Sequence, residues 1–157
     1  MSTHFSKPSK KASDQASLIT IVASEYNAHL VDAMLEQAQS ELAKLQPKAV
    51  IEIIRVPGAF EIPLFVKLAA KQRKPDAIIA LGVLLQGETA HANLVASAVS
   101  QALMNIALEY SMPVVHQVLL LNNEEQAIAR CLNETMNRGT EAARVAVAAI
   151  EARSRLL

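Results

Sequence analysis

Four short apolar runs separated by segments of helical period predict an α/β domain of three layers, α/β/α, in which helices cover both faces of a four-stranded parallel sheet. Two further observations point the same way. No Asn-Gly hairpin signal joins successive runs, so right-handed crossovers through the helices are the economical connection. The third run, DAIIALGVLL at Asp76–Leu85, is continuously apolar, as strands covered on both faces are.

Residues 1–17 are polar, contain Pro8 and lack the apolar stretch of a secretory signal, and are expected to form a flexible N-terminal arm. LITIVAS, Leu18–Ser24, reads as the first strand. From Asn27 to Gln46 the apolar residues Leu30, Val31, Met34, Leu35, Ala38, Leu42 and Leu45 recur at three and four, an amphipathic helix with Asn27 as its expected N-cap. Pro47 ends it, and Ala49–Val56 reads as the second strand. After PGAFEIP, Leu64–Gln72 is helical in composition. Asp76–Leu85 is the third strand, and beyond QGETAH an Ala-rich helix runs to about Glu109. Pro113–Leu121 is the fourth strand. Helices near Glu124–Leu132 and Thr140–Arg155 follow, with Gly139 between them. Each of the four glycines falls at an expected element boundary, where freedom in φ is useful. Residues 18–157 then form a single domain, without internal repeat or linker.

The 157-residue length allows a core without staples, since such a domain buries roughly 70% of the surface of its unfolded chain. With 15 Lys plus Arg against 15 Asp plus Glu there is no field to gather nucleic acid or an anionic membrane. No apolar run approaches the roughly 18 residues needed to cross a bilayer. The single Cys131 excludes an internal disulfide and fits a reducing, cytoplasmic compartment. It is a weak nucleophile candidate, because nothing in sequence marks it as activated. There is no His-Glu-x-x-His, no Cys pair, no Gly-x-Gly-x-x-Gly and no phosphate-loop Gly-Lys-Ser/Thr, so neither a metal nor a nucleotide cofactor is expected. A sheet of four strands leaves edges that assembly with other copies would cover.

In open α/β sheets ligands bind beyond the carboxyl ends of the strands. The connections to search are therefore SEYN, PGAFEIP, LQGETAH and LNNEEQ. In LQGETAH, free N–H groups of Gly87, Glu88 and Thr89 suit an anion, and His91 brings an imidazole able to move protons; the plain alternative is a capped helix start with a surface histidine. In VPGAFEIP, two prolines stiffen a loop presenting Phe60 and Glu61 to a polar heterocycle, unless Phe60 is core and Glu61 merely solvated. Tyr26 can stack on a planar ring or sit idle at the rim. Arg130 and Arg138 can clamp a phosphate or remain surface charges. His4 and His29 converge with nothing.

VPGAFEIP at Val56–Pro63, ALGVLLQGETAH at Ala80–His91, EQAIAR at Glu125–Arg130 and NRG at Asn137–Gly139 together resemble the 6,7-dimethyl-8-ribityllumazine synthase family over about Leu18–Ile150. The resemblance implies a flavodoxin-like sheet and a transferase-type activity in riboflavin biosynthesis. That activity condenses 5-amino-6-(D-ribitylamino)uracil with 3,4-dihydroxy-2-butanone 4-phosphate, releasing phosphate and water, with no cofactor and no metal. It implies that Tyr26 stacks on the pyrimidine, that Ala59, Phe60 and Glu61 hold its ring and ribityl chain, and that Val83, Leu84 and Leu85 lie beside the ring. Glu88, Thr89 and Arg130 then contact the phosphate substrate, and His91 is the catalytic acid/base. Family sites lie between the subunits of a homopentamer, so His116, Arg130 and the supporting Arg138 would come from an adjacent chain. The chain departs from the family pattern at Gln86 (often Arg), Ala92 (an aromatic), His116 (commonly Phe), Arg138 (commonly Lys) and the CLNETMN segment. These departures leave a second expectation standing, a non-catalytic paralogue that binds flavin or lumazine or serves in assembly.

Overall fold

The computed structural model describes residues 16–157, so the expected arm lies outside the described residues except for Ala16 and Ser17. Four strands, β1 (Leu18–Ser24), β2 (Val50–Val56), β3 (Ala77–Leu85) and β4 (Val114–Leu121), form one parallel sheet in the order β2-β1-β3-β4. The ladders align Leu18 with Val50, Ile19 with Ala77 and Ile78 with Val114. Five helices join them: α1 (Ala28–Leu45), α2 (Ile62–Arg73), α3 (His91–Tyr110), α4 (Glu124–Ala127) and α5 (Arg138–Ser154). This is the expected three-layer flavodoxin-like arrangement.

The period-two alternation of the strands divides the core. Ile19, Ile21, Ala23, Ile79, Leu81 and Val83 pack under α1 and α5 with Met34, Leu42, Ala143 and Val147. Val22, Ile78, Ala80 and Val118 face the other way, under α2 and α3 with Ile62, Val66, Val99 and Leu103. The two inner strands are covered on both faces, which is why β3 is continuously apolar in sequence. Burying one leucine- or isoleucine-sized side chain is worth roughly 1.5–3 kcal/mol, so the sandwich is dominated by its aliphatic layers.

Three expectations need correction. The segment after β4 is one turn of α-helix, capped by the Asn123 side chain accepting from Gln126 N–H at 2.9 Å, followed by a π-helical turn over Ile128–Leu132 rather than a continuous helix. The helix after β2 starts two residues earlier than expected, at Ile62, with a 3-10 turn over Ala59–Glu61 before it. And no glycine has a positive φ. Their use is space: a Cβ on Gly139 would stand 1.9 Å from the Met34 carbonyl oxygen, and one on Gly82 3.0 Å from Ile62 Cδ1. Gly82 therefore lies inside β3 and Gly139 inside the first turn of α5, each where another element comes too close for a side chain.

Candidate functional site

The carboxyl ends of the strands are stitched together by backbone. Glu25 N–H donates to Val56 O at 2.7 Å and Tyr26 N–H to Pro57 O at 3.0 Å, joining the connections after β1 and β2. Gln86 N–H donates to Leu121 O at 2.8 Å, joining those after β3 and β4. Asn27 links the two pairs. It stands in the left-handed region (φ 57°), makes no side-chain cap, and instead donates from Nδ2 to Val83 O at 2.9 Å. Asn27 thus holds the expected N-cap position, its carbonyl accepting from the Leu30 and Val31 N–H groups, but its side chain leaves the first-turn N–H groups of α1 for the sheet.

On this rim stand Tyr26, 71% exposed, and Phe60, 64% exposed. Ala59 is buried, and the half-buried Glu61 folds its carboxylate over Gly58, where a Cβ would sit 3.1 Å from Oε2. Val83 is buried, Leu84 intermediate and Leu85 exposed, so β3 emerges from the core within three residues. The open aromatics and a strand end suit the faces of a flat heterocycle.

Past β3, the turn Gly87–Ala90 is exposed and α3 begins at His91 itself, two residues later than a helix opening at Thr89 would. Thr89 Oγ1 accepts from His91 N–H at 3.5 Å. The turn is braced from beneath: Gln86 Oε1 accepts from Asn93 Nδ2 at 3.0 Å, and Gln86 Nε2 reaches Gly87 O at 3.4 Å and Thr89 O at 3.5 Å. Unpaired N–H groups and the positive end of α3 face solvent here, with the imidazole of His91 at the same step.

Arg130 rides on the π-helical turn and makes no ion pair among the described residues. Asn137, 3% exposed, ties that turn to α5: its Nδ2 donates to Cys131 O at 2.5 Å and its Oδ1 accepts from Gly139 N–H at 2.8 Å. Arg138 opens α5 at the same end but is engaged with Glu141. His116 stands apart. It pairs across the ladder with Ala80, five residues before the end of β4 and roughly 16 Å from it at ~3.3 Å per residue. Its Nδ1 accepts from Val118 N–H at 3.1 Å, which leaves Nε2 as the donor to Ser100 Oγ at 2.6 Å. Desolvation by the surrounding protein pushes its pKa below the ordinary histidine value, partly opposed by a hydrogen bond with the backbone of His116 itself.

One chain therefore brings Tyr26, Ala59, Phe60, Glu61, Val83, Leu84, Leu85, Glu88, Thr89 and His91 to one rim, and Arg130 to the same end. It does not bring His116 to that rim, and it leaves Arg138 paired. The side chains of Asn27, Asn93 and Asn137 connect these segments through hydrogen bonds that the linear pattern does not mark. A sequence signal existed only for Asn137, an Asn two residues ahead of a helix glycine. A separate cavity of about 300 Å³, lined by Lys71, Lys74, Asp76, Tyr110 and Arg153, lies at the opposite, amino end of the sheet. Helices α2, α3 and α5 end there, so its cations sit against carbonyl ends, as the helix dipole favours.

A family model described as 6,7-dimethyl-8-ribityllumazine synthase matches residues 17–154. Among curated relatives, the 6,7-dimethyl-8-ribityllumazine synthase of Coxiella burnetii (strain Dugway 5J108-111) is 38% identical over 134 residues, 85% of this chain and 89% of that protein. The protein of the same name from Buchnera aphidicola subsp. Baizongia pistaciae is 38% identical over 133 residues, 82% of each chain.

Proposed function

The chain belongs to the 6,7-dimethyl-8-ribityllumazine synthase family, and from that premise we propose that it condenses 5-amino-6-(D-ribitylamino)uracil with 3,4-dihydroxy-2-butanone 4-phosphate to 6,7-dimethyl-8-ribityllumazine in riboflavin biosynthesis. The observation that carries this reading is the convergence of four separate segments, at Tyr26, Ala59–Glu61, Val83–Leu85 and Glu88–His91, on one end of the sheet. In this reading Tyr26 and Phe60 flank the pyrimidine, Glu61 receives its polar groups and Val83–Leu85 run beside the ring.

The phosphate end of the second substrate meets the N–H groups of Glu88 and Thr89 in the turn leading into α3, with Arg130 as the cation that holds the departing phosphate. Schiff-base formation, phosphate loss and ring closure all move protons near neutral pH, a task an imidazole performs, and in this reading His91 performs it. Arg138 supports the phosphate side once freed from Glu141. None of these steps calls for a metal or redox cofactor.

The assembly we propose is a homopentamer with sites between subunits, working in the cytoplasm. Two features support it. His116 is remote from the rim of its own chain, so it serves a ring only if a neighbouring chain presents one. And α3 carries an uncovered apolar stripe, Leu94, Met104 and Leu108, the last 71% exposed, of the kind that marks contact surfaces.

Lumazine formation from the two substrates, followed by absorbance, tests the reading. Product must form faster than in the spontaneous reaction. Arg130→Ala is expected chiefly to raise KM for the butanone phosphate and His91→Ala chiefly to lower kcat. No enzymatic product from a folded oligomer, or the opposite pattern, contradicts the assignment.

A further inference from the structure

Among the described residues Asn27 is one of three non-glycine residues with positive φ and, unlike Lys74 and Ser111 after α2 and α3, it precedes a helix on the proposed ligand rim. A left-handed backbone is strained for residues other than Gly, with Asn and Asp the better tolerated exceptions. Backbone geometry alone is therefore satisfied by glycine at position 27. The carboxamide does something glycine cannot. The pairing of β1 with β3 ends at Ala23 opposite Leu81, so the Val83 carbonyl has lost its strand partner on that side. Asn27 Nδ2 takes that partner's place at 2.9 Å, spanning 56 residues of sequence.

The consequence falls on Tyr26. Its ring is largely exposed, and its backbone is held from one side by the Pro57 carbonyl and from the other by the Asn27 turn. The tie from Asn27 to Val83 thus sets the distance between the aromatic platform and the end of β3. Those are two of the walls assigned above to the pyrimidine.

We propose that Asn27 is a positioning residue for the pyrimidine substrate, acting by anchoring the Tyr26 platform to the Val83 carbonyl rather than by capping α1. The proposal rests on the synthase reading of this rim. It places Asn27 upstream of one substrate only, because the Glu88–His91 turn and Arg130 hang on other hydrogen bonds.

Asn27→Gly is the discriminating variant, since it keeps the left-handed turn and removes only the carboxamide. Losing one such tie is expected to raise KM for the ribitylaminopyrimidine about five-fold. The KM for the butanone phosphate, kcat and the melting temperature should stay near wild type. Asn27→Asp, which keeps the shape but cannot donate to a carbonyl, should show the same split. Equal rises in both KM values, unchanged values in Asn27→Gly, or full activity in Asn27→Asp overturn the proposal. Calorimetric titration of wild type and Asn27→Gly with the pyrimidine alone separates this from the catalytic reading. Binding without turnover in wild type sinks only the synthase assignment, whereas equal affinity in the two proteins sinks only the role of Asn27.

Discussion

Burial pushes the Cys131 thiol up to about 11, and the neighbouring Arg130 charge only partly opposes it. At neutral pH the group is a protonated, core-packed thiol, so it takes no part in nucleophilic chemistry. A thiol reagent is expected to leave the native protein unlabelled and to modify it once on unfolding. His116 behaves differently. Its native pKa lies below the ordinary value of 6.5, so in the window between the two the unfolded chain binds the proton more tightly. Stability therefore rises with pH across that window and is lost as pH falls through it. His116→Phe should flatten this part of the curve, visible as a smaller drop in melting temperature from about pH 7.5 to about 5.5 than wild type shows. That His116 is bonded to Ser100 could not be read from sequence, because the partners come from different elements sixteen residues apart.

At the scale of elements, α5 comes close against α1. Gly139 lets the backbone of α5 meet Met34, and Arg144 crosses to the buried Glu41 at 2.7 Å. Gly139→Ala forces the helices apart and is expected to destabilise the fold by about 3 kcal/mol or more, measured by denaturant unfolding. The β3–α3 turn depends on finer contacts. Removing the Asn93 carboxamide frees Gln86, so Asn93→Ala should raise KM for the phosphate substrate by about three- to ten-fold, the effect of one hydrogen bond, with stability nearly unchanged. Sequence reading had Gln86 as a departure from a family arginine; the structure makes it the underside brace of the turn. The strands and long helices were legible to within a residue or two because burial periodicity marks them directly. The π-helical turn was not, since its residues share the helical period of α4 and differ only in how the chain closes against α1 and α5.

For the whole molecule, the proposed assembly rests on the exposed apolar stripe of α3, Leu94, Met104 and Leu108. Leu108→Glu is expected to dissociate the assembly in sedimentation velocity and to abolish turnover while the isolated chain keeps its helical circular dichroism. A fully active monomer would contradict a site shared between subunits. The order of elements, the parallel sheet and the end proposed to bind ligands follow from the linear pattern alone: four apolar runs interleaved with amphipathic helices admit few topologies, and parallel crossovers put the connections after the strands on one side. Only the tertiary structure decided what each rim residue leans on. Asn27 joining Val83, Gln86 joining Asn93, Asn137 joining Cys131 and the space-driven use of Gly82 and Gly139 are relations between residues distant in the chain or set by a local backbone turn. Periodicity reports which face of an element is buried, whereas hydrogen-bond partners and close approaches depend on how those faces come together.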